Sequence, residues 1–286
     1  MVKHQEGFFT DAHGSKRYYQ FWLPESPPKA VLLLVHGLAE HSGRYANLVS
    51  HLVPRGYAVY AMDHVGHGKS DGARTYVERF GDFVESLRKY FGMIRAWQPE
   101  VPIFLIGHSL GGLIAATYLL EHPDGLQGAI LSGPAVRIPD NISPVTIFAG
   151  KILSALFPGF GVLGLDARGV SRDPAVVTAY LNDPLVFTGK VTARLGAEML
   201  KAMRRMEAEA HRIRLPILIL QGSADKLVDP AGARMLHERV GSADKTLNVY
   251  EGLYHEVYNE PEHGRVLRDV ESWLEKRLPL SLALSR

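Results

Sequence analysis

The sequence contains no cysteine. Disulfides, thiolate metal sites and cysteine nucleophiles are therefore excluded, although a chain without thiols suits any redox compartment. A surplus of one charge is lacking too: 32 Lys and Arg stand against 30 Asp and Glu, a formal +2, too small to steer the whole chain toward nucleic acid. No nucleic-acid partner is expected. The opening residues, Met1 to Gly7, have no apolar run of the secretory kind, which gives a cytoplasmic reading. A long unbroken apolar run is missing as well. The nearest approach, Val145 to Leu165, is interrupted by Pro158 and by glycines at 150, 159, 161 and 164, which argues against a membrane-spanning helix. There is no internal repeat and no low-complexity tract.

What is present is the composition of a globular domain: 286 residues, 46% hydrophobic and 22% charged, enough to bury one sizeable core. Short apolar runs recur at Val31 to Val35, Tyr57 to Met62, Ile103 to Ile106, Ala129 to Leu131, Ile217 to Leu220 and Leu247 to Tyr250. They lack alternation, as strands covered on both faces of a parallel sheet do. Helical stretches lie between them, at Glu78 to Trp97, Gly111 to Glu121, Ala231 to Val240 and Pro261 to Arg277. This rhythm predicts an α/β fold with a mostly parallel central sheet flanked by helices. Before the first buried run, Lys16 to Leu23 is aromatic and partly polar, which suits an antiparallel edge strand.

The rhythm stops between about Arg137 and Arg212, where no buried strand appears and the sequence reads as helices joined by Gly/Pro turns. The expected organisation is a core of residues 1–136 and 213–286 with an inserted helical cap at 137–212. The apolar face of that cap suits the lining of an acyl-chain site or contact with a lipid surface, and equally a helical pair packed on its own domain.

Gly107-His108-Ser109-Leu110-Gly111 is a Gly-x-Ser-x-Gly motif, which in a chain with 28 glycines arises by chance in roughly one case in seven. Its context gives it weight. A buried run, Ile103 to Ile106, precedes it and a close-packed helical start, Gly111 to Ala116, follows, so the motif sits where a sharp strand-to-helix turn lifts a serine above the sheet edge. A serine hydroxyl needs a base to take its proton and a carboxylate to orient that base. In the α/β-hydrolase arrangement both follow on loops after later strands. Ile217 to Gly222 leads into Asp225, and Val249 to Tyr254 leads into His255. Asp229 competes for the acid role, but it precedes Pro230 and suits a helix N-terminus. The oxyanion formed on attack needs backbone donors; the amides of Leu110 and of Leu38, after Val35-His36-Gly37, are the candidates.

Other motifs fail on inspection. Gly68-Lys69-Ser70 resembles the tail of a phosphate-binding loop, but Asp63 stands where that loop needs glycine. Gly66-His67-Gly68 begins a dinucleotide fingerprint that Asp71 breaks. Asp63, His64 and His67 in a glycine-rich turn read as structural rather than as metal ligands.

Taken together, His36 to Tyr45, Asp63 to Ser70, Gly107 to Gly112, Gln221 to Asp225 and Tyr250 to His255 resemble the corresponding segments of monoacylglycerol lipases, serine hydrolases of the α/β-hydrolase superfamily. The resemblance runs from about Phe8 to Leu278. It implies Ser109, Asp225 and His255 as a catalytic triad, Leu38 and Leu110 as an oxyanion hole, and Glu40, Arg44 and Tyr180 near the glycerol end of the substrate. Glu40 and Arg44 also suit a local ion pair. Where mammalian relatives carry a second histidine near glycerol, this chain has Tyr258, which implies a different head-group recognition. The expectation is a serine esterase that releases glycerol and a fatty acid from monoacylglycerols without metal or organic cofactor, its partners being a lipid ester and, through the cap, a membrane or micelle surface. A broader carboxylesterase or a lysophospholipase is the alternative, and a non-catalytic ligand-binding member of the fold a more distant one.

Overall fold

A computed structural model describes residues 3–138 and 143–278. Ten strands and eight helices follow one another along the described chain. The main sheet is built from β1 (Lys3–Thr10), β2 (Lys16–Leu23), β3 (Ala30–Val35), β4 (Tyr57–Met62), β5 (Ile103–His108), β6 (Leu126–Ser132), β9 (Ile217–Gly222) and β10 (Lys245–Tyr250), in the order β1-β2-β4-β3-β5-β6-β9-β10. The six strands from β4 to β10 pair in parallel, while β1 and β2 pair antiparallel with their neighbours. The helices are α1 (Ala46–Leu52), α2 (Gly81–Trp97), α3 (Leu110–Glu121), α4 (Pro144–Leu156), α5 (Pro174–Asn182), α6 (Ala193–Glu209), α7 (Ala231–Arg239) and α8 (His263–Glu275).

The unbroken apolar runs serve both faces of the sheet at once. Val31, Leu33 and Val35 of β3 pack with α2, α3, α6 and α7, while Leu32 and Leu34 point the other way, onto α1 and α8. α8 meets its layer through a stripe, Val266, Leu267, Val270, Trp273 and Leu274, spaced for one helical face. α3 instead buries every residue from Leu110 to Leu120, because it lies between the sheet and α2 and α6. A helix enclosed on all sides is apolar all round.

One expectation is corrected at the edge. Lys16–Leu23 is a strand, but β1 takes the outer position and β2 lies between β1 and β4. β1 was invisible because its Lys3-His4-Gln5-Glu6 half is exposed and carries no apolar period. The inserted segment also departs from the purely helical expectation: β7 (Gly161–Gly164) and β8 (Lys190–Thr192) form a two-stranded antiparallel sheet. α4 ends at Leu156, ahead of Pro158, as a proline requires of the turn before it. α6 buries Leu195, Met203 and Met206 in the main core, so this helix of the segment is continuous with the rest of the molecule. No described helix is long and apolar enough to cross a membrane.

The crossing of β3, β5 and α3 is the tightest point. A Cβ at Gly111 would lie 2.0 Å from the Val35 carbonyl oxygen, and one at Gly107 would lie 2.5 Å from the Gly111 carbonyl oxygen. Both obstacles are backbone of the central layers and cannot swing away. Gly111→Ala should therefore cost more than about 2 kcal/mol in urea unfolding. Gly150→Ala, on α4 with open space around it, should gain up to about 1 kcal/mol. Equal midpoints for the two variants would contradict this account.

Candidate active site

The parallel strands all end on the same edge of the sheet, and the loops after β3, β5, β9 and β10 meet there. Ser109 occupies the turn between β5 and α3 with φ 55 and ψ −119, a left-handed conformation that a non-glycine residue adopts at a cost of about 1–3 kcal/mol. The turn is held by its own backbone. Ser109 N–H donates to the Ser132 carbonyl at 3.0 Å, and the Ser109 carbonyl accepts from Gly112, Leu113 and Ala135. Ser109 borders a cavity of about 620 Å³, and His255 borders the same cavity.

His255 Nδ1 meets Asp225 Oδ2 at 2.7 Å. The same oxygen accepts from Gln221 Nε2 at 3.0 Å, while Oδ1 accepts the amides of Leu227 and Val228 at 2.9 and 3.0 Å. Burial alone would raise the Asp225 carboxyl, but the facing imidazole and the two amides outweigh it and hold the acid below its usual range. Burial would likewise lower His255, yet the Asp225 carboxylate, with Glu256 and Glu40 behind it, pushes this imidazole up. The His108 ring lies beside it, tilted by 49° with centroids 4.7 Å apart, and goes the other way, down to about 4, from burial and from the neighbouring imidazole. Asp229 is engaged elsewhere: it pairs with Arg137 and accepts the Ala231 amide at the start of α7.

The loop after β3 is fixed from two sides. Glu40 Oε1 accepts Gly37 N–H at 2.6 Å and the Tyr45 hydroxyl at 2.7 Å, and a Cβ at Gly37 would lie 2.7 Å from that oxygen and 3.2 Å from Ser109 Cβ. His36 Nδ1 lies 2.8 Å from the Gly37 carbonyl, and the His64 amide donates to His36 Nε2 at 3.0 Å, so His36 is a neutral imidazole donating through Nδ1. The Gly37–Leu38 peptide is planar and trans, so pinning its carbonyl also aims the Leu38 N–H in the opposite direction. Neither Leu38 N–H nor Leu110 N–H donates to any described residue. Both residues are within the site: Leu38 borders the cavity, and Leu110 follows Ser109 directly.

The three head-group candidates separate. Glu40 and Tyr180 border the cavity; Arg44 does not. Its guanidinium lies behind them, donating to Glu40 at 2.8 Å and to both oxygens of Glu256 at 2.6 and 2.9 Å, with the Tyr180 ring 4.5 Å away. The local ion pair is thus real and larger than foreseen. Tyr258 is buried in the core against the α8 side of the sheet and does not border the cavity. Glu256, which does border it, escaped the sequence reading, although its place beside His255 was the available signal. Asp63 accepts from the Ser42 amide and hydroxyl and from the Lys69 amide, a structural hub rather than a ligand set. His13, Asp82 and Glu85 bring ligand atoms within 4.8 Å of one another on the surface, but none of them borders the cavity.

The inserted segment supplies most of the apolar wall, with Ile147 and Leu153 of α4 and Met199, Leu200 and Met203 of α6. It is tied to the loops below it. Phe187 N–H donates to the Ala39 carbonyl at 2.8 Å, Glu256 N–H to the Val170 carbonyl at 2.8 Å, and His41 meets Asp183 at 2.8 Å. The electrostatics give a test. Removing the carboxylate with Asp225→Asn leaves burial as the main influence on His255, so an NMR titration should move from above the usual imidazole range to below it. An unmoved titration would contradict the stated cause.

The sequence profile of the hydrolase family described as serine aminopeptidase, S33, matches residues 26–262. A monoacylglycerol lipase of Mycolicibacterium smegmatis is 41% identical over 273 residues, which cover 96% of this chain and 98% of that protein. A monoglyceride lipase of Rattus norvegicus is 38% identical, over 95% of this chain and 91% of its own. The crystal structure of the Paleococcus ferrophilus monoacylglycerol lipase superposes with a TM-score of 0.80 at 33% identity, covering 97% of this chain and 99% of that one. The elbow, the acid–histidine pair and this likeness along nearly the whole chain agree: the protein belongs to the monoacylglycerol lipase family of α/β hydrolases.

Proposed function

We propose that the protein hydrolyses the ester bond of monoacylglycerols, with Ser109 as nucleophile, His255 as general base and acid, Asp225 as the carboxylate that orients it, and residues 137–212 as a cap over the site. The observation that carries this reading is one cavity that brings Ser109 and His255 to the foot of an apolar wall. Its volume of about 620 Å³ lies in the range that encloses a ligand of this size. The names of the relatives support the choice of ester.

In the proposed reaction His255 Nε2 takes the Ser109 proton as Oγ attacks the ester carbonyl. The amides of Leu38 and Leu110 then donate to the oxyanion, each worth roughly 3 kcal/mol in the transition state. Asp225 remains ionised and stabilises the imidazolium. That imidazolium gives its proton to the departing glycerol oxygen and leaves an acyl-Ser109. Water, deprotonated by His255, attacks the acyl carbon; the serine takes the proton back and the fatty acid departs. Only protein groups and water take part in these steps.

Affinity and selectivity divide between the two ends of the cavity. Burying about a dozen methylenes at about 0.8 kcal/mol each gives nearly 10 kcal/mol of gross transfer energy. A hydrogen bond to glycerol adds about 1 kcal/mol. The acyl chain therefore supplies most of the binding, along α4 and α6. The end bordered by Glu40, Tyr180 and Glu256 selects by what it excludes: the two carboxylates with Arg44 between them leave one net negative charge, which opposes a phosphodiester and favours glycerol over a lysophospholipid head group.

The test compares hydrolysis of monoacylglycerol, diacylglycerol, lysophosphatidylcholine and a short activated ester at equal sub-micellar concentration. Monoacylglycerol should give the highest kcat/KM; preference for lysophosphatidylcholine would overturn the substrate assignment. Ser109→Ala and His255→Ala should each lower kcat by roughly 10⁴ or more, Asp225→Asn by less, and Asp229→Asn least. A greater loss at Asp229 than at Asp225 would overturn the assignment of the acid. In the wild type, kcat/KM should fall as pH drops through the raised His255 pKa, since the protonated ring cannot act as base.

A further inference from the structure

The leaving-group end of the cavity carries a charge that glycerol does not use. Among the described residues, and histidines apart, the charged side chains that border the cavity are Glu40, Arg137, Asp229 and Glu256. Arg137 pairs with Asp229, and Arg44 from behind offsets one of the two glutamates. One negative charge is left over. The acid–imidazole pairs nearby, Asp225 with His255 and Asp183 with His41, bring no net positive charge. Lys226 lies against the Tyr254 ring and does not border the cavity. The surplus reaches the reacting centre: against burial, the Asp225 carboxylate and then Glu256 and Glu40 push the His255 imidazole up.

The carboxylate oxygens themselves are already engaged. Glu40 Oε1 accepts from Gly37 N–H and the Tyr45 hydroxyl, and its Oε2 accepts from Arg44. Glu256 Oε1 accepts from Arg44, and its Oε2 accepts from Arg44 and from Asn259 Nδ2 at 2.9 Å. A primary ammonium has to compete with these donors for its own hydrogen bonds. A quaternary ammonium has no N–H to satisfy and responds to the potential alone. Glu40 and Glu256 are only 4% and 5% exposed, so that potential is little screened by salt. In a choline ester the cation sits two carbons from the ester oxygen, at the reach of a glycerol hydroxyl.

We propose that the protein also hydrolyses fatty acyl esters of quaternary amino alcohols, choline esters being the simplest, and that Glu256 sets the preference for their cationic leaving group. The chemistry is that of the glycerol ester. His255 takes the Ser109 proton as Oγ attacks; the imidazolium returns it to the choline oxygen as the ester C–O bond breaks, and water then releases the fatty acid from acyl-Ser109. This inference rests on the reading of the chain as a serine esterase with an acyl-lined cavity, and adds a second substrate class at that site. Glu256 is the residue that distinguishes it, because without its charge Glu40 and Arg44 cancel. Lysophosphatidylcholine gains nothing here, since its phosphate and not its ammonium adjoins the departing oxygen.

The experiment gives the full chain decanoyl esters of choline and of neohexyl alcohol, in which a quaternary carbon replaces the nitrogen, at equal sub-micellar concentration. Each kcat/KM is divided by the rate of hydroxide hydrolysis of the same ester, because the ammonium also activates its own leaving group. The corrected ratio should favour choline roughly tenfold in the wild type, and Glu256→Gln should bring it close to unity. Glu256→Asp, which keeps the charge, should retain the preference. So should Glu251→Gln, which removes an exposed acid of the same loop that does not border the cavity. A wild-type ratio close to unity, no turnover of either ester, or a preference that survives Glu256→Gln would overturn the inference, and the wild-type ratio needs no variant to fold. Monoacylglycerol turnover in the same assay reads the proposed function separately. Its presence with a ratio close to unity removes the choline-ester activity alone; a preference for choline in its absence removes the glycerol assignment and leaves this activity standing.

Discussion

Crowding at the ends of β3 and β5 is the constraint on which the site depends. Gly107 and Gly111 let α3 start so close to the sheet that the chain must turn through a left-handed residue, and that residue is Ser109. The strain is offset by backbone hydrogen bonds that reach from the turn to β6 and to Ala135. A serine on a looser turn would have rotamers to choose from. Here the hydroxyl is presented at the edge of the sheet, and the amide of Leu110 is free at the start of α3 because a helix leaves its first N–H groups without internal partners.

A second layer of order is electrostatic. Glu256, next to His255, is joined through Arg44 to Glu40, and Glu40 holds the Gly37 amide. The His255 loop and the Gly37–Leu38 loop are thus linked by a buried chain of alternating charge. Burial opposes the charged form of Glu40, but Arg44, His108, the Tyr45 hydroxyl and the Gly37 amide together keep its carboxyl below the usual range. Such a chain is costly to break at any one point, because the remaining partner would be left charged and buried. The neighbouring imidazoles are treated oppositely. Burial lowers His36, His64, His67 and His108, whereas His255, opposite a carboxylate, is raised.

The inserted segment has two sides with different physics. Its 170–187 stretch is bonded to the Ala39 and His255 loops, and α6 is anchored in the main core. α4 and the turn into β7 expose apolar side chains, while the Pro158 and Phe160 carbonyls of that turn accept the Arg194 and Ala193 amides at the start of α6. Ile147 and Leu153 of α4 line the cavity, whereas Val145 and Phe148 of the same helix are exposed.

By itself the sequence determined the layered α/β architecture, because strands covered on both faces must be apolar without alternation and because glycine is required where backbone approaches backbone. It also determined the candidate nucleophile, acid and base, since their order along the chain follows the order of the strands that carry them. It did not determine β1, whose exposed half has no period to read, or that β2 is an inner strand. Nor could it separate Arg44, which stands behind the cavity, from Glu40 and Tyr180, which border it, or reveal Glu256. Those outcomes depend on side chains brought together from the loop after β3, the inserted segment and the loop after β10. Periodicity records which face of an element is buried, and only tertiary packing decides which charges share the space between elements.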